Sequence, residues 1–245
     1  MLSISVLVQP HVQTIRMTLP KKLKDLRHWL FYKFLISRRF KLVTLCGPGS
    51  VCPWTIYPSG LNAKSIVYCG GVGYDITFEH ELVKRFGCEI VLCDPSPCGL
   101  ETMALPENKM PQFHYFPTAL TAHNGQINMA PPLVPKGDSW HARNDSTAKI
   151  SVPCTDLLSL MRQNNHEHID LLKLDIEGSE YEVIDDFLKR RISVRQVCVE
   201  FHHQIVPGIG RSQTIRSIFK LLARGYKLIS LDDSGTHTFI LGSPS

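Results

Sequence analysis

Residues 68–75 read YCGGVGYD: an apolar run ends in Gly70, Gly71 and Gly73, and Asp75 follows. The run before it, Ser65 to Cys69, is β-branched and aromatic, as a buried strand is. After it, ITFEHELVKRFG spaces Ile76, Phe78, Leu82, Val83 and Phe86 helically and stops at Gly87. Glycines at a strand-to-helix turn let backbone approach a ligand and point free N–H groups at it, although alone they serve a tight turn equally well. Twenty-one residues after Gly73 stands Asp94, at the end of EIVLCD and before Pro95. In a doubly wound fold a carboxylate at that distance, on the tip of the second strand, accepts hydrogen bonds from ribose hydroxyls. The alternative for Asp94 is a cap or turn acid.

The turn discriminates between ribose-bearing cofactors. A dinucleotide needs a third glycine for close helix packing and seats its pyrophosphate on the helix N-terminus. Here Ile76 takes the glycine's place and Asp75 stands where the phosphates would go, which disfavours a nicotinamide dinucleotide. S-adenosylmethionine carries adenosine without phosphates, an ammonium and a carboxylate, so an acid beside the turn suits it.

Two further strand ends carry chemistry. In IDLLKLDIEGSEYEVIDDFL, residues 169–188, the apolar strand ends at Asp175, Glu177 follows, and Gly178 opens a helix. Side chains at such carboxyl ends face the ligand crevice, with N-capping as the competing role for Asp175 and Glu177. The acids farther along, Glu180, Glu182, Asp185 and Asp186, read as a solvated helix face. RQVCVEFHH ends in Glu200, His202 and His203. No metal is expected, because paired histidines without a third ligand nearby in sequence lack the usual spacing. Asp175, Glu200 and His202 are the candidates to take a proton from a substrate hydroxyl. His202 is the favoured one, since imidazole titrates near neutrality without help.

The elements that must position these groups alternate from residue 64 onward. Strands are expected near 65–69, 89–93, 113–116, 149–153, 169–174, 195–201, 226–231 and 237–241, with helices at about 76–86, 155–163, 179–190 and 212–224. That is an α/β pattern with a largely parallel sheet. Residues 117–148, rich in Pro and Gly, break it and read as a loop over the ligand face with a short hairpin around Gly125. The division expected is a basic N-terminal extension, 1–55, and a catalytic domain, 56–245. The first 50 residues hold nine of the 27 Lys and Arg but one of the 22 acids. Their KKLKDLRHWLFYKFLISRRFK stretch places Leu23, Leu26, Leu30 and Phe34 on one helical face, which packs on its own domain, lies on an anionic membrane or belongs to an organelle-targeting peptide. The basic character does not continue into the core, which argues against nucleic acid. With 43% hydrophobic and 20% charged residues in 245, no membrane-length apolar run and no secretory-type leader, the sequence is globular. Its eight cysteines, without CxxC pairs, read as reduced residues of a cytoplasmic protein.

Together GVGYDITFE, CDPSP, DLLKLDIEGSEYEVI, VEFHH and GTHTFIL resemble the FkbM family of S-adenosylmethionine-dependent methyltransferases over residues 60–241. The resemblance implies a class I methyltransferase (Rossmann-like) fold, with seven strands, one of them antiparallel near an edge, and helices on both faces. It also implies O-methylation of a hydroxyl on a small molecule or glycan. Carried over by residue, it assigns the cofactor turn to Cys69, Gly71 and Gly73, the ribose acid to Asp94 beside Pro95, and an adenine-side contact to Thr118, Ala119 and Leu120. Asp175 and Glu177 become pocket residues, with Glu200 and His202 on the adjoining strand. Most family members carry an acid where this chain has Cys69, so Asp75 or Glu79 is expected to supply that carboxylate. The rival reading is a binding protein that keeps the fold without turnover.

Overall fold

The computed structural model describes residues 32–46, 53–132, 134, 137–143, 145–203, 208–232 and 235–242. Most of the expected basic helix, with Leu23, Leu26 and Leu30, lies outside them. Of its end, Phe34 is exposed, whereas Tyr32 is buried with its hydroxyl 3.0 Å from His237 Nε2. Two short strands follow, β1 (Val43–Leu45) and β2 (Trp54–Ile56), an antiparallel pair that the sequence reading did not anticipate. Gln196 ties β2 to the main body by accepting the Tyr57 N–H at 2.6 Å.

The chain then runs β3 (Ile66–Gly70), α1 (Thr77–Phe86), β4 (Glu89–Cys93), α2 (Pro97–Ala104) and β5 (Phe113–Phe116), each strand parallel to the one before and placed outward from it. Helix α2 is not among the helices expected from the sequence. Yet Ser96 is a good N-cap, accepting the Gly99 N–H at 3.1 Å, and Pro97 fits the first helical position, where its missing N–H costs nothing. The stretch expected as a loop with a short hairpin around Gly125 instead folds into β6 (Ala119–Thr121), β7 (Gly125–Ala130) and β8 (His141–Ala142), of which β6 and β7 do not pair with each other. These join β9 (Ile150–Asp156) in a separate four-stranded sheet, order β6-β9-β7-β8, so the strand expected near 149–153 does not belong to the main sheet. The apolar alternation of these short strands is interrupted by Asn, Gln and Pro, which is why it is faint in the sequence.

After α3 (Leu157–Gln163) the chain returns to the other side of β3 with β10 (Ile169–Leu174), then α4 (Glu180–Arg190), β11 (Val194–Glu200), α5 (Arg211–Ala223), β12 (Tyr226–Leu231) and β13 (Thr236–Leu241). The main sheet is therefore seven-stranded, order β12-β13-β11-β10-β3-β4-β5, with β13 antiparallel to both its neighbours, the fold class expected. The order reverses between β3 and β10, and a crevice opens at their carboxyl ends. Two cores flank the sheet. Tyr68, Leu172 and Val197 face the side with α4, whereas Val67, Cys69, Leu171 and Cys198 face Leu82 and Val83 of α1. Among the described residues no helix is long and apolar enough to cross a membrane, and the seven described cysteines are free.

Lys173 interrupts the apolar face of β10. Alternation sends it to the α1 side with Leu171. There its Nζ meets Glu79 Oε1 at 3.0 Å and the Gly71 carbonyl at 3.1 Å, and it lies 5.1 Å from the centre of the Trp54 ring. Glu79 is fully buried. Burial opposes the charge on Lys173, but Glu79 and then Asp175 outweigh it and hold the ammonium above its ordinary pKa. Removing one partner of such a pair strands the other charge in the core. Glu79→Gln should therefore lower the unfolding free energy by about 3–5 kcal/mol in urea titrations, and adding Lys173→Met should recover much of the loss. Equal stability of Glu79→Gln and the unsubstituted chain would show that the pair carries no such load.

Candidate functional site

A cavity of about 300 Å³ occupies the crevice at the carboxyl ends of β3, β4, β10 and β11, under a roof formed by Ile127, Met129 and Trp140 of the second sheet and its loop. Its size falls at the small end of ligand pockets. Eleven of the thirteen sequence-predicted residues line it: Gly71, Gly73, Asp75, Asp94, Pro95, Ala119, Leu120, Asp175, Glu177, Glu200 and His202. Two do not. Cys69 points to the α1 core, buried among apolar side chains, and burial followed by nearby Glu79 pushes its thiol well above the ordinary pKa. Thr118 stands just ahead of β6 with its N–H bonded to the Phe116 carbonyl at 2.8 Å, outside the lining.

Why the turn needs glycine is visible at Gly71. Its φ is +88°, and a Cβ there would lie 1.9 Å from the Asp175 carbonyl oxygen. The ends of β3 and β10 thus meet without room for a side chain. The glycine-turn N–H groups are in use: Val72 and Gly73 donate to Asp94 Oδ2 at 2.9 and 3.0 Å, and Ser96 donates to Oδ1 at 2.8 Å. Asp94 therefore braces the turn as well as facing the cavity. Of the two carboxylates expected to stand in for Cys69, only Asp75 reaches the cavity, while Glu79 lies beneath the turn with Lys173.

The cavity floor is organised by Glu180. The expectation of a solvated face holds for Glu182 and Asp185, which are exposed, but Glu180 is fully buried. Its Oε1 accepts the Ile176 N–H at 3.0 Å and its Oε2 the Gly178 N–H at 2.9 Å, closing the Asp175–Gly178 turn, in which Glu177 takes a left-handed φ of 51°. Left-handed backbone in a residue other than glycine is uncommon and persists only where its surroundings hold it. Glu180 Oε1 also lies 2.7 Å from His202 Nδ1. Helical spacing could not reveal this, because the residue sits in the first turn, where the carboxylate curls back to cap the backbone.

His202 is 7% exposed. Its Nε2 faces Asp175 Oδ1 at 3.7 Å, Glu177 Oε2 at 3.7 Å and Glu200 Oε1 at 4.0 Å. Burial works against its charge, but the hydrogen bond to Glu180 and the Glu180, Glu177 and Asp175 carboxylates prevail and push the imidazole up to about 10. These carboxylates favour the charged imidazole, which weighs against His202 as the group that takes the proton. Burial raises Asp175, Glu177 and Glu200 above the ordinary carboxyl range, Glu200 to about 7 with Asp175 as the next contributor. Asp175, Glu200 and His202 each offer a donor atom, all within 4.8 Å of one another, a convergence that linear spacing does not disclose.

The lining that sequence reading missed includes Trp54, Asp138, Ser139, Trp140 and Lys173. Lys173 carried a signal as the one charge inside LLKL. Ser139 comes from the segment expected as a loop over the ligand face. In all, six carboxylates line the cavity, against Lys173 and His202.

The family model described as the methyltransferase FkbM domain matches residues 61–228, more than two thirds of the chain. Among solved structures, the chain is similar to the fibrillarin pre-rRNA processing protein of Methanococcus jannaschii, at 11% identity and a TM-score of 0.44, over 75% of this chain and 69% of that one. No curated protein matches the sequence. With a glycine turn, a strand-tip acid and an acidic floor at one switch point, and with that match along most of its length, the chain belongs to the FkbM methyltransferase family.

Proposed function

We propose that the protein transfers a methyl group from S-adenosylmethionine to a hydroxyl of a small molecule or glycan. The observation that carries this reading is that one cavity is lined both by the glycine turn with Asp75 and Asp94 and by the strand-end groups Asp175, Glu177, Glu200 and His202.

The residues present fit the cofactor. A carboxylate has about four lone-pair positions, and Asp94 uses three on backbone N–H groups, which leaves one directed outward for a ribose hydroxyl. Ala119, Leu120 and Pro95 offer an apolar slot for adenine, and Asp75 offers a counter-charge for the ammonium. Six lining carboxylates favour a ligand bearing a sulfonium and an ammonium, and they oppose the two phosphates of a dinucleotide. When bound, the cofactor supplies a methyl group on an electrophilic sulfur. The chain's own work is alignment of the acceptor oxygen and uptake of its proton. The floor carboxylates, raised above their ordinary pKa by burial, are placed for the second task, while the roof residues Met129 and Trp140 exclude water. The binding-only alternative rested on Cys69, and cofactor binding without product formation would separate it from transfer.

Asp94→Asn should weaken S-adenosylmethionine binding by about 1.5–3 kcal/mol in calorimetric titration. The same variant should also melt earlier, because the N–H groups of Val72, Gly73 and Ser96 lose their charged acceptor. Unchanged affinity would remove Asp94 from the cofactor site. For the transfer itself, a metabolite extract incubated with the protein and a labelled methyl donor should yield labelled products by mass spectrometry. Asp175→Asn should abolish that labelling while cofactor affinity stays within a few-fold. Labelling that survives Asp175→Asn would move the reacting centre away from the floor.

A further inference from the structure

We propose that Asp175, Glu200 and His202 bind a divalent metal ion at the cavity floor. The donor set is two carboxylate oxygens and one imidazole nitrogen, mutually within 4.8 Å. Around an octahedral ion with ligands near 2.1 Å, adjacent donors lie about 3 Å apart and opposite donors about 4 Å apart. The observed separations of His202 Nε2 from Asp175 and Glu200, 3.7 and 4.0 Å, fall close to that range, so a shift of less than about 1 Å brings the three onto one ion.

Two observations independent of the acidic cluster point to a cation. The first is the Glu180–His202 pair. Metal-ligating histidines characteristically give their other ring N–H to a carboxylate, which fixes the tautomer and turns the lone pair toward the metal. Glu180, fully buried, takes that N–H from Nδ1 at 2.7 Å and is itself locked by two backbone N–H groups. The second is what Nε2 meets. On a ring 7% exposed, it is aimed at three carboxylate oxygens, none within hydrogen-bond distance. One of them, Glu177 Oε2, is buried and has no hydrogen-bond partner among the described residues. Buried charges are paired or coordinate metals, and a dication at this point would face the three carboxylate oxygens that Nε2 meets.

Oxygen donors suit Mg²⁺ and Mn²⁺, and imidazole shifts the preference toward a first-row ion, so Mn²⁺ is the fitting probe. Three protein ligands leave positions open on the ion. Its role as a holder of the acceptor oxygen rests on the transfer reading above, whereas its binding does not. The ion also answers the expectation of no metal drawn from linear spacing: the ligands come from two strand ends, 25 residues apart between Asp175 and Glu200.

The test is a titration of the chelator-treated full chain with Mn²⁺ alone, followed by electron paramagnetic resonance and calorimetry, beside a titration with S-adenosylmethionine. One equivalent of Mn²⁺ should bind. Glu200→Gln, which alters a partly exposed side chain, should weaken it at least tenfold, and Glu180→Gln, acting through His202, should weaken it 10- to 100-fold. Both variants are checked for folding by circular dichroism, and Asp175→Asn serves where either fails to fold. Absence of stoichiometric binding to the folded chain overturns the proposal, as does binding that Glu200→Gln and Asp175→Asn leave unchanged. Loss of the metal claim alone would leave cofactor binding and methyl transfer intact. Mn²⁺ binding without cofactor binding would sink the transfer reading and keep the metal site.

Discussion

The carbonyl of Asp175 and the backbone of Gly71 come so close that a single methyl group between them is excluded. Everything at the site depends on that approach. It sets the ends of β3 and β10 side by side, so that the turn carrying Asp94's hydrogen bonds and the turn carrying Asp175 and Glu177 open into one cavity. Asp175 N–H to the Gly70 carbonyl at 3.0 Å continues the sheet to the rim of the cavity, and Lys173 Nζ on the Gly71 carbonyl holds the turn from below. A glycine there is a packing requirement first and a ligand-binding device second.

Two buried carboxylates play opposite parts around this contact. Glu79 neutralises Lys173 beneath the turn and never reaches the ligand space. Glu180 accepts two backbone N–H groups and orients His202, so its charge is spent on shape. The carboxylates left facing the cavity are those without such partners among the ring of Asp175, Glu177 and Glu200, and burial raises the pKa of each. Hydrogen bonding thus divides the acids near the floor: Glu79 and Glu180 build the frame, Asp175, Glu177 and Glu200 face the cavity, and Asp94 does both.

What the sequence disclosed follows the same division. Strand ends are legible because apolar runs stop abruptly at chemistry-bearing residues, and Asp94, Asp175, Glu200 and His202 stand at such stops. Cys69 misled because strand alternation, not its place beside the glycines, decides its direction, and alternation points it at α1. Glu180 misled in the reverse sense. A helical pattern reports which face is apolar but says nothing of a first-turn side chain that bends back onto the preceding loop. The roof was illegible because its strands are short and its Trp140 belongs to no period, so only tertiary pairing defines it. The charge on His202 depends on Asp175, Glu177 and Glu180, which lie on another segment of the chain, and no local reading contains that sum.

The order of the main sheet has a further consequence during synthesis. Strand β3 pairs on one side with β4, about 20 residues on, but its other neighbour β10 lies about 100 residues downstream, with Ile66 N–H held by Asp170 at 2.9 Å. At translation rates of about 5–20 residues per second, the inner edge of β3 waits on the order of 5–20 s for its partner to leave the ribosome. Through that interval an apolar strand stands as an unpaired template for other chains. Chaperone protection of the nascent first half is the demand that this strand order places on the cell.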